Sequence, residues 1–166
     1  SDGSAPIAEM MATAAELGHE YCALTDHSPR LTVANGLSPE RLRAQLDVID
    51  ELREQFSNAS PSLRSSRPMR ILTGIEVDIL DDGTLDQEPD LLERVDIVVA
   101  SVHSKLKMDA PAMTRRMVRA VTDSHGGRKV TVLGHCTGRL VEGARGTRPE
   151  SKFDAEKGFT ACRDNG

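Results

Sequence analysis

The sequence has few aromatic residues and no cysteine pattern that indicates a covalent or metal cross-link. Its 166 residues include three Phe, one Tyr and no Trp. This argues against a surface that binds single-stranded nucleic acid by stacking bases on aromatic rings. The three cysteines are odd in number, widely spaced and never in a Cys-x-x-Cys pair, so neither a disulfide framework nor a thiolate zinc site is predicted. This usage fits a reducing compartment best, and we expect a cytoplasmic protein.

Charge and hydropathy exclude two further classes. The formal net charge is −5, so no global positive field draws the chain to DNA or to membranes. No apolar run approaches the ~18 residues of a membrane span, and no signal-peptide pattern is visible, so no membrane partner is expected. The length fits a single domain over residues 1–166 with an aliphatic core.

Four short apolar runs each end in a residue type that binds metals. Such runs, bounded by breakers and alternating with helical segments, predict buried parallel strands in an α/β fold whose sheet is open or curled into a barrel. Active sites of these folds lie at the C-terminal ends of the strands, so four ligand types at that edge predict a functional site. The four strand-end residues are His27, Glu76, His103 and His135.

Imidazole and carboxylate ligands together suit zinc, manganese or iron, and a carboxylate such as Glu76 can bridge two cations. Two metals about 3.5–4 Å apart would clamp a phosphoryl group and activate a water molecule. Competing patterns are weaker, because the chain has no Gly-rich phosphate loop and no Gly-x-Ser-x-Gly elbow. A catalytic pair of Cys136 and His135 is disfavoured, since adjacent residues at a strand end point in different directions.

Five short motifs occur together in the sequence: Ser1-Asp2-Gly3, Thr25-Asp26-His27-Ser28, Gly74-Ile75-Glu76-Val77-Asp78-Ile79, Ser101-Val102-His103-Ser104 and Gly134-His135. In combination they resemble the polymerase and histidinol phosphatase (PHP) superfamily. The resemblance is strongest to the PHP domain of bacterial family X DNA polymerases and to stand-alone PHP phosphoesterases. It implies a distorted, parallel (β/α)7 TIM-like barrel that holds up to three divalent metal ions (Zn, Mn or Fe) and hydrolyses phosphate esters.

The resemblance assigns roles to individual residues. It implies that Glu76 is the bridging carboxylate, that His103 and His135 complete one metal site with it, and that His27 and Asp2 belong to another. It also implies a His-x-His motif on the first strand and an Asp-x-His motif on the last, and neither motif occurs on a predicted strand of this chain. We expect both to lie outside residues 1–166, so that the domain is incomplete at both ends and lacks its first and last strands.

Basic residues near the predicted site have two interpretations each. Lys105 and Arg139, each shortly after a predicted ligand, are predicted to hold a substrate phosphate, with solvated loop charges as the alternative. The stretch from Ser57 to Arg70 is rich in Ser, Pro and Arg and is predicted to be a solvated connection, with a basic lip over an anionic substrate as the alternative.

Two aspartates lie close in sequence to the predicted ligands, and the chain has two further histidines. Asp26 is predicted to support a metal-bound imidazole. Asp78 is predicted to share the sheet face of Glu76, with a structural and a functional role both open. No role is assigned to His19 or His125.

The leading hypothesis is a metal-dependent phosphoesterase in which a metal-bound hydroxide attacks a small phosphomonoester, such as histidinol phosphate or a nucleotide. One alternative is a 3′-5′ exonuclease or DNA-repair module of family X type, acting on a nucleic-acid 3′ end. Another is a non-catalytic metal-binding scaffold. We expect the first metal to bind between Glu76, His103 and His135, and the sequence gives no indication of the oligomeric state.

Overall fold

Helices and strands alternate along the chain. The computed structural model describes residues 3–57, 69–124, 127, 130–142 and 146–165. Within these ranges, every helix is too short or too polar to cross a membrane. The elements are α1 (Ile7–Glu16), β1 (Tyr21–His27), a 3-10 turn (Thr32–Ala34), α2 (Pro39–Ser57), β2 (Arg70–Asp78), α3 (Pro89–Arg94), β3 (Ile97–Ser101), α4 (Ala110–Thr122), β4 (Val132–Leu133) and α5 (Ala155–Asn165).

The four strands form one parallel sheet in the order β1-β2-β3-β4. The predicted α/β fold with parallel strands is therefore confirmed, whereas closure of the sheet into a barrel stays a prediction. The register pairs His27 with Glu76, and Glu76 with Val99. Because the strands are parallel and in sequence order, the C-terminal ends of all four lie along one edge of the sheet.

The last four residues of strand β2 alternate between an apolar and an acidic face, following the two-residue period of a strand. Ile75 and Val77 are completely buried in the main hydrophobic cluster, which also contains residues of α2, α3 and α4. Glu76 lies between them in sequence and Asp78 follows, so both carboxylates project from the opposite face. The prediction that Asp78 shares the face of Glu76 is thus confirmed.

Apolar residues at helical spacing predict one buried face on each of α1, α2 and α4, and the structure confirms these faces with one exception. In α2 the side chains of Leu42, Leu46, Ile49 and Leu52 are all buried, and the methionines of α4 are core residues. The exception is α1, where Met11 is buried in a second cluster with Ile71, but Met10 and Leu17 are 45% and 73% exposed. The predicted apolar stripe of α1 is therefore wider than the face it buries.

Two strands are shorter than their apolar runs. The apolar run that begins at Val95 predicts a strand from that residue. In the structure Val95 caps the end of α3, and pairing of β3 with β2 starts at Ile97. The apolar run that begins at Val130 likewise predicts a longer strand than β4, which has only two residues. There the hydroxyl of Thr131 accepts the N–H of Val98 at 3.1 Å, taking the place of a backbone acceptor. Residues 58–68 lie outside the described ranges, so both interpretations of the 57–70 stretch stay predictions.

Candidate metal centre

The four strand-end residues meet at the carboxylate of Glu76, whose two oxygens face different partners. Its Oε1 lies 3.3 Å from His103 Nε2 and 3.1 Å from His135 Nε2. Its Oε2 lies 3.7 Å from His27 Nδ1. The carboxylate therefore faces the His103–His135 pair on one side and His27 on the other, which is the geometry that a bridging ligand needs.

The donors have the chemistry and the spacing of a transition-metal site. His27, Glu76 and His103 each offer one ligand atom, and these three atoms lie within 4.8 Å of one another. Two ligands at about 2.0–2.1 Å from a tetrahedral zinc ion are roughly 3.3 Å apart. The separations of Glu76 from His103 and His135 match this value, and a set of imidazoles with one carboxylate suits zinc, manganese or iron.

The three histidines differ in exposure. The side chains of His27 and His103 are 22% and 17% exposed, whereas that of His135 is 53% exposed. His135 follows a strand of only two residues, which leaves its ring at the rim of the site. Among the described residues, the group whose three ligand atoms all lie within 4.8 Å of one another contains His27, whereas the sequence predicted the first metal with His135.

Asp78 anchors the backbone of His103 and faces its ring. Its Oδ1 accepts the backbone N–H of His103 at 3.0 Å and lies 3.5 Å from the ring Nδ1. The ring is thereby held with Nδ1 towards Asp78 and Nε2 towards Glu76. A carboxylate behind a ligating imidazole sets the ring's tautomer and raises its basicity, so Asp78 has the position of a supporting residue for a metal ligand.

The charges of the metal-free site are strongly coupled. Hydrogen bonding to Asp78, then to Glu76, raises the pKa of His103 to about 9, with burial opposing the shift. Hydrogen bonding to His103 is the main cause that lowers the pKa of Glu76 to about 2, again against burial. Without a metal the site is therefore an ion pair at neutral pH, and an incoming cation must displace the proton of His103.

The other predicted acidic residues and histidines have different positions. Asp26 projects to the opposite face of β1 from His27 and accepts a hydrogen bond from Gln45 Nε2 at 2.8 Å, which ties this strand end to α2. His19 is exposed in the turn before β1. Asp2 and His125 lie outside the described residues, so the ligand role of Asp2 stays a prediction.

The two predicted phosphate-binding residues lie on the loops that follow their ligands. The ammonium group of Lys105 pairs with Asp81, and its backbone has a positive φ of 50°. Arg139 is exposed, and its backbone N–H donates to Thr137 Oγ1 at 3.3 Å. Both residues lie on loops that follow strands at the ligand-bearing edge of the sheet, and their role towards substrate stays a prediction.

Arg116 is a structural residue of the site that the sequence analysis missed. Its guanidinium is completely buried and donates to Ile79 O at 3.0 Å and to Leu80 O at 2.8 Å through Nε, and to Ser104 O at 3.0 Å through Nη1. It therefore joins the end of β2 to the loop that carries His103. Periodicity could have indicated it, since Arg116 lies three residues after the buried Met113 of α4.

Asp86 is a second missed residue, and it organises the loops around the site. Its Oδ1 accepts the hydroxyl of Ser28 at 2.6 Å and the N–H of Asp78 at 2.7 Å. Its Oδ2 accepts the backbone N–H of Arg30 at 3.0 Å. One carboxylate thus fixes the chain after His27 relative to the end of β2, a contact between residues 56 positions apart that no local pattern reveals.

Comparison with known proteins identifies relatives of this chain. The sequence model of the family described as PHP domain matches residues 1–162. The DNA polymerase/3′-5′ exonuclease PolX of Bacillus subtilis strain 168 is 43% identical over 141 residues, which are 85% of this chain and 22% of that protein. A probable phosphatase of Thermoanaerobacter sp. strain X514 is 26% identical over 133 residues, 78% of this chain and 46% of that protein. The chain thus spans about a fifth and just under half of these relatives.

Proposed function

The chain belongs to the PHP domain family, and from this membership we propose that it hydrolyses phosphate esters with divalent metal ions held by His27, Glu76, His103 and His135. The observation that carries the proposal is the convergence of three imidazoles on the two oxygens of Glu76. Core packing does not account for such a group, because all four side chains are partly exposed at the sheet edge where active sites of α/β folds lie. Asp2 is a further proposed ligand.

The residues around the site have complementary tasks in this proposal. A bound cation would activate a water molecule and neutralise charge on the phosphate. Glu76 remains ionised at neutral pH and supplies the anionic ligand. Asp78 holds the His103 ring, and Lys105 and Arg139 offset the negative charge of the phosphate oxygens.

The preferred substrate is a small phosphomonoester. The net charge of −5 and the scarcity of aromatic residues support this choice, because an extended nucleic-acid groove requires the opposite composition. The similarity to a probable phosphatase agrees with it. A second candidate is 3′-5′ exonuclease activity on a nucleic-acid 3′ end, which the higher identity to the polymerase/exonuclease favours.

The test of hydrolysis uses a chromogenic aryl phosphate with the purified chain loaded with manganese or zinc. We expect release of the aryl alcohol by the wild type, and its loss in Glu76→Ala and His103→Ala. His19→Ala is the matched control, since it removes an exposed imidazole outside the site and should leave the rate unchanged. Equal rates in wild type and the Glu76→Ala, His103→Ala double variant would refute the assignment.

Two further measurements separate the candidate functions. A 5′-labelled oligonucleotide shortened in single-nucleotide steps, faster than the aryl phosphate is hydrolysed, would favour the exonuclease. Metal analysis after dialysis tests the scaffold alternative. Stoichiometric metal without turnover of either substrate would favour a metal-binding scaffold, and absence of metal would count against the proposed site itself.

A further inference from the structure

We propose that Arg30 is a substrate-binding residue that binds the terminal phosphate group of the phosphate ester. This inference rests on the proposed function and adds to it a residue and a ligand class, a dianionic terminal phosphate. Arg30 lies three residues after His27, on the loop that leaves the ligand-bearing end of β1. It matches no motif in the sequence, and only its contacts in the folded chain single it out.

The backbone of Arg30 is fixed relative to the metal centre. Its N–H donates to Asp86 Oδ2 at 3.0 Å, and the hydroxyl of the buried Ser28 donates to the other oxygen of that carboxylate at 2.6 Å. Asp86 also accepts the N–H of Asp78 at 2.7 Å. The loop is therefore anchored to the end of β2, and the Arg30 side chain starts from a defined position beside Asp78.

The guanidinium of Arg30 forms an ion pair with a buried carboxylate, and half of the Arg30 side chain is exposed. Its Nε lies 3.4 Å from Asp78 Oδ2, and the Asp78 side chain is 3% exposed whereas that of Arg30 is 50% exposed. Among the described residues, none accepts a hydrogen bond from the terminal Nη atoms of Arg30. A planar guanidinium held at Nε still presents two donors in a fork, the geometry that binds phosphate oxygens in pairs.

Arg30 and His103 share one carboxylate, so the Asp78 side chain alone separates the cation from a proposed metal ligand. The Oδ1 atom of Asp78 faces His103, and its Oδ2 atom faces Arg30. Lys105 differs, because its ammonium is already paired with Asp81 and offers a compact charge rather than a fork. Arg30 is therefore better suited to bind the phosphate bidentately, from the β1 side of the site.

The test compares Arg30→Met and Arg30→Lys with wild type, all loaded with zinc. Binding of inorganic phosphate is measured by titration calorimetry, and KM and kcat are measured with the aryl phosphate. We expect Arg30→Met to weaken phosphate binding and raise KM by about 10- to 100-fold, the effect of losing charge-assisted hydrogen bonds. Arg30→Lys should recover part of the loss. Arg43→Met is the matched control, because Arg43 pairs with Glu88 and Asp90 on the surface.

Zinc affinity, measured by competition with a chromophoric chelator, identifies an indirect effect. If Arg30 acts on phosphate directly, zinc affinity changes by less than about threefold in Arg30→Met, because the metal ligands are intact. A loss of zinc affinity as large as the loss of phosphate binding would mean that Arg30 acts through Asp78, and would overturn the inference. So would unchanged phosphate binding. If the wild type binds phosphate through Arg30 but hydrolyses no ester, the proposed function fails and this inference stands.

Discussion

Replacing Arg116 with Met should destabilise the fold and weaken metal binding together. Methionine keeps an unbranched, apolar side chain at this completely buried position, but it has no donor. The carbonyls of Ile79 and Ser104 would lose the guanidinium that joins them. Since these carbonyls lie next to Asp78 and His103 in sequence, the loop that positions the His103 ring would lose its anchor.

The expected magnitude follows from two opposing effects. Each buried carbonyl left without a donor costs about 1–3 kcal/mol. Against this, burial lowers the pKa of Arg116, which shows that the charged group pays a desolvation penalty that methionine does not. We expect a net loss of about 2–4 kcal/mol in the free energy of unfolding, or roughly 5–15 °C in Tm for a domain of this size. Zinc affinity should fall by about 10- to 100-fold, as for other residues that orient metal ligands.

Thermal unfolding by circular dichroism, with and without zinc, provides the measurement. The matched control is Arg119→Met, in the same helix, because Arg119 is about half exposed and pairs with Asp82 and Asp123 at the surface. Surface ion pairs contribute about 0–1 kcal/mol, so the control should change Tm by only a few degrees. An Arg116→Met variant with the Tm and zinc affinity of Arg119→Met would refute the structural role assigned to Arg116.

Two other perturbations test the site's supports. Gly36→Ala would place a Cβ atom 1.9 Å from the backbone oxygen of Ser28, so we expect the chain after His27 to shift and Tm to fall, and an unchanged Tm would contradict this packing. The second concerns pH. The pKa of His103 is raised from 6.5 to about 9. Protonation of His103 therefore stabilises the metal-free fold by on the order of 3 kcal/mol. This stabilisation is present in full below pH 6.5 and is lost as the pH rises through 9. Zinc competes with the same proton, so zinc affinity should rise about tenfold per pH unit up to pH 9. Denaturant unfolding measures the pH dependence of stability, and chelator competition measures that of zinc affinity. A zinc affinity that does not change with pH would exclude this linkage.

The sequence predicted the parts of the fold that depend on local pattern. Alternating apolar runs and helical segments were sufficient for the parallel sheet, and each run delivered its strand-end residue to the same edge. The structure brings His27, Glu76, His103 and His135 together there, and metal binding by them remains a prediction. The buried face of α2 was also predictable, because four apolar residues at helical spacing leave only one solution.

The residues that support the site could not be predicted in the same way. Asp86 and Arg116 act through contacts with residues far away in sequence, and a lone Asp in a loop or a lone Arg in a helix ordinarily faces solvent. The predicted positions of the strand ends were imprecise because side-chain hydrogen bonds also influence where a strand ends. The side chain of Thr131 competes with the backbone for the N–H of Val98, and the spacing of apolar residues does not reveal that competition.

The two oxygens of Asp78 have a consequence for how ligands influence one another. One oxygen faces the His103 ring and the other faces the Arg30 guanidinium, so a change of charge at either group alters the field at the other. If metal at His103 strengthens phosphate binding at Arg30, thermodynamic reciprocity requires phosphate to strengthen metal binding by the same factor. Cation and anion would then assemble cooperatively at a site whose two halves are joined by a single buried carboxylate.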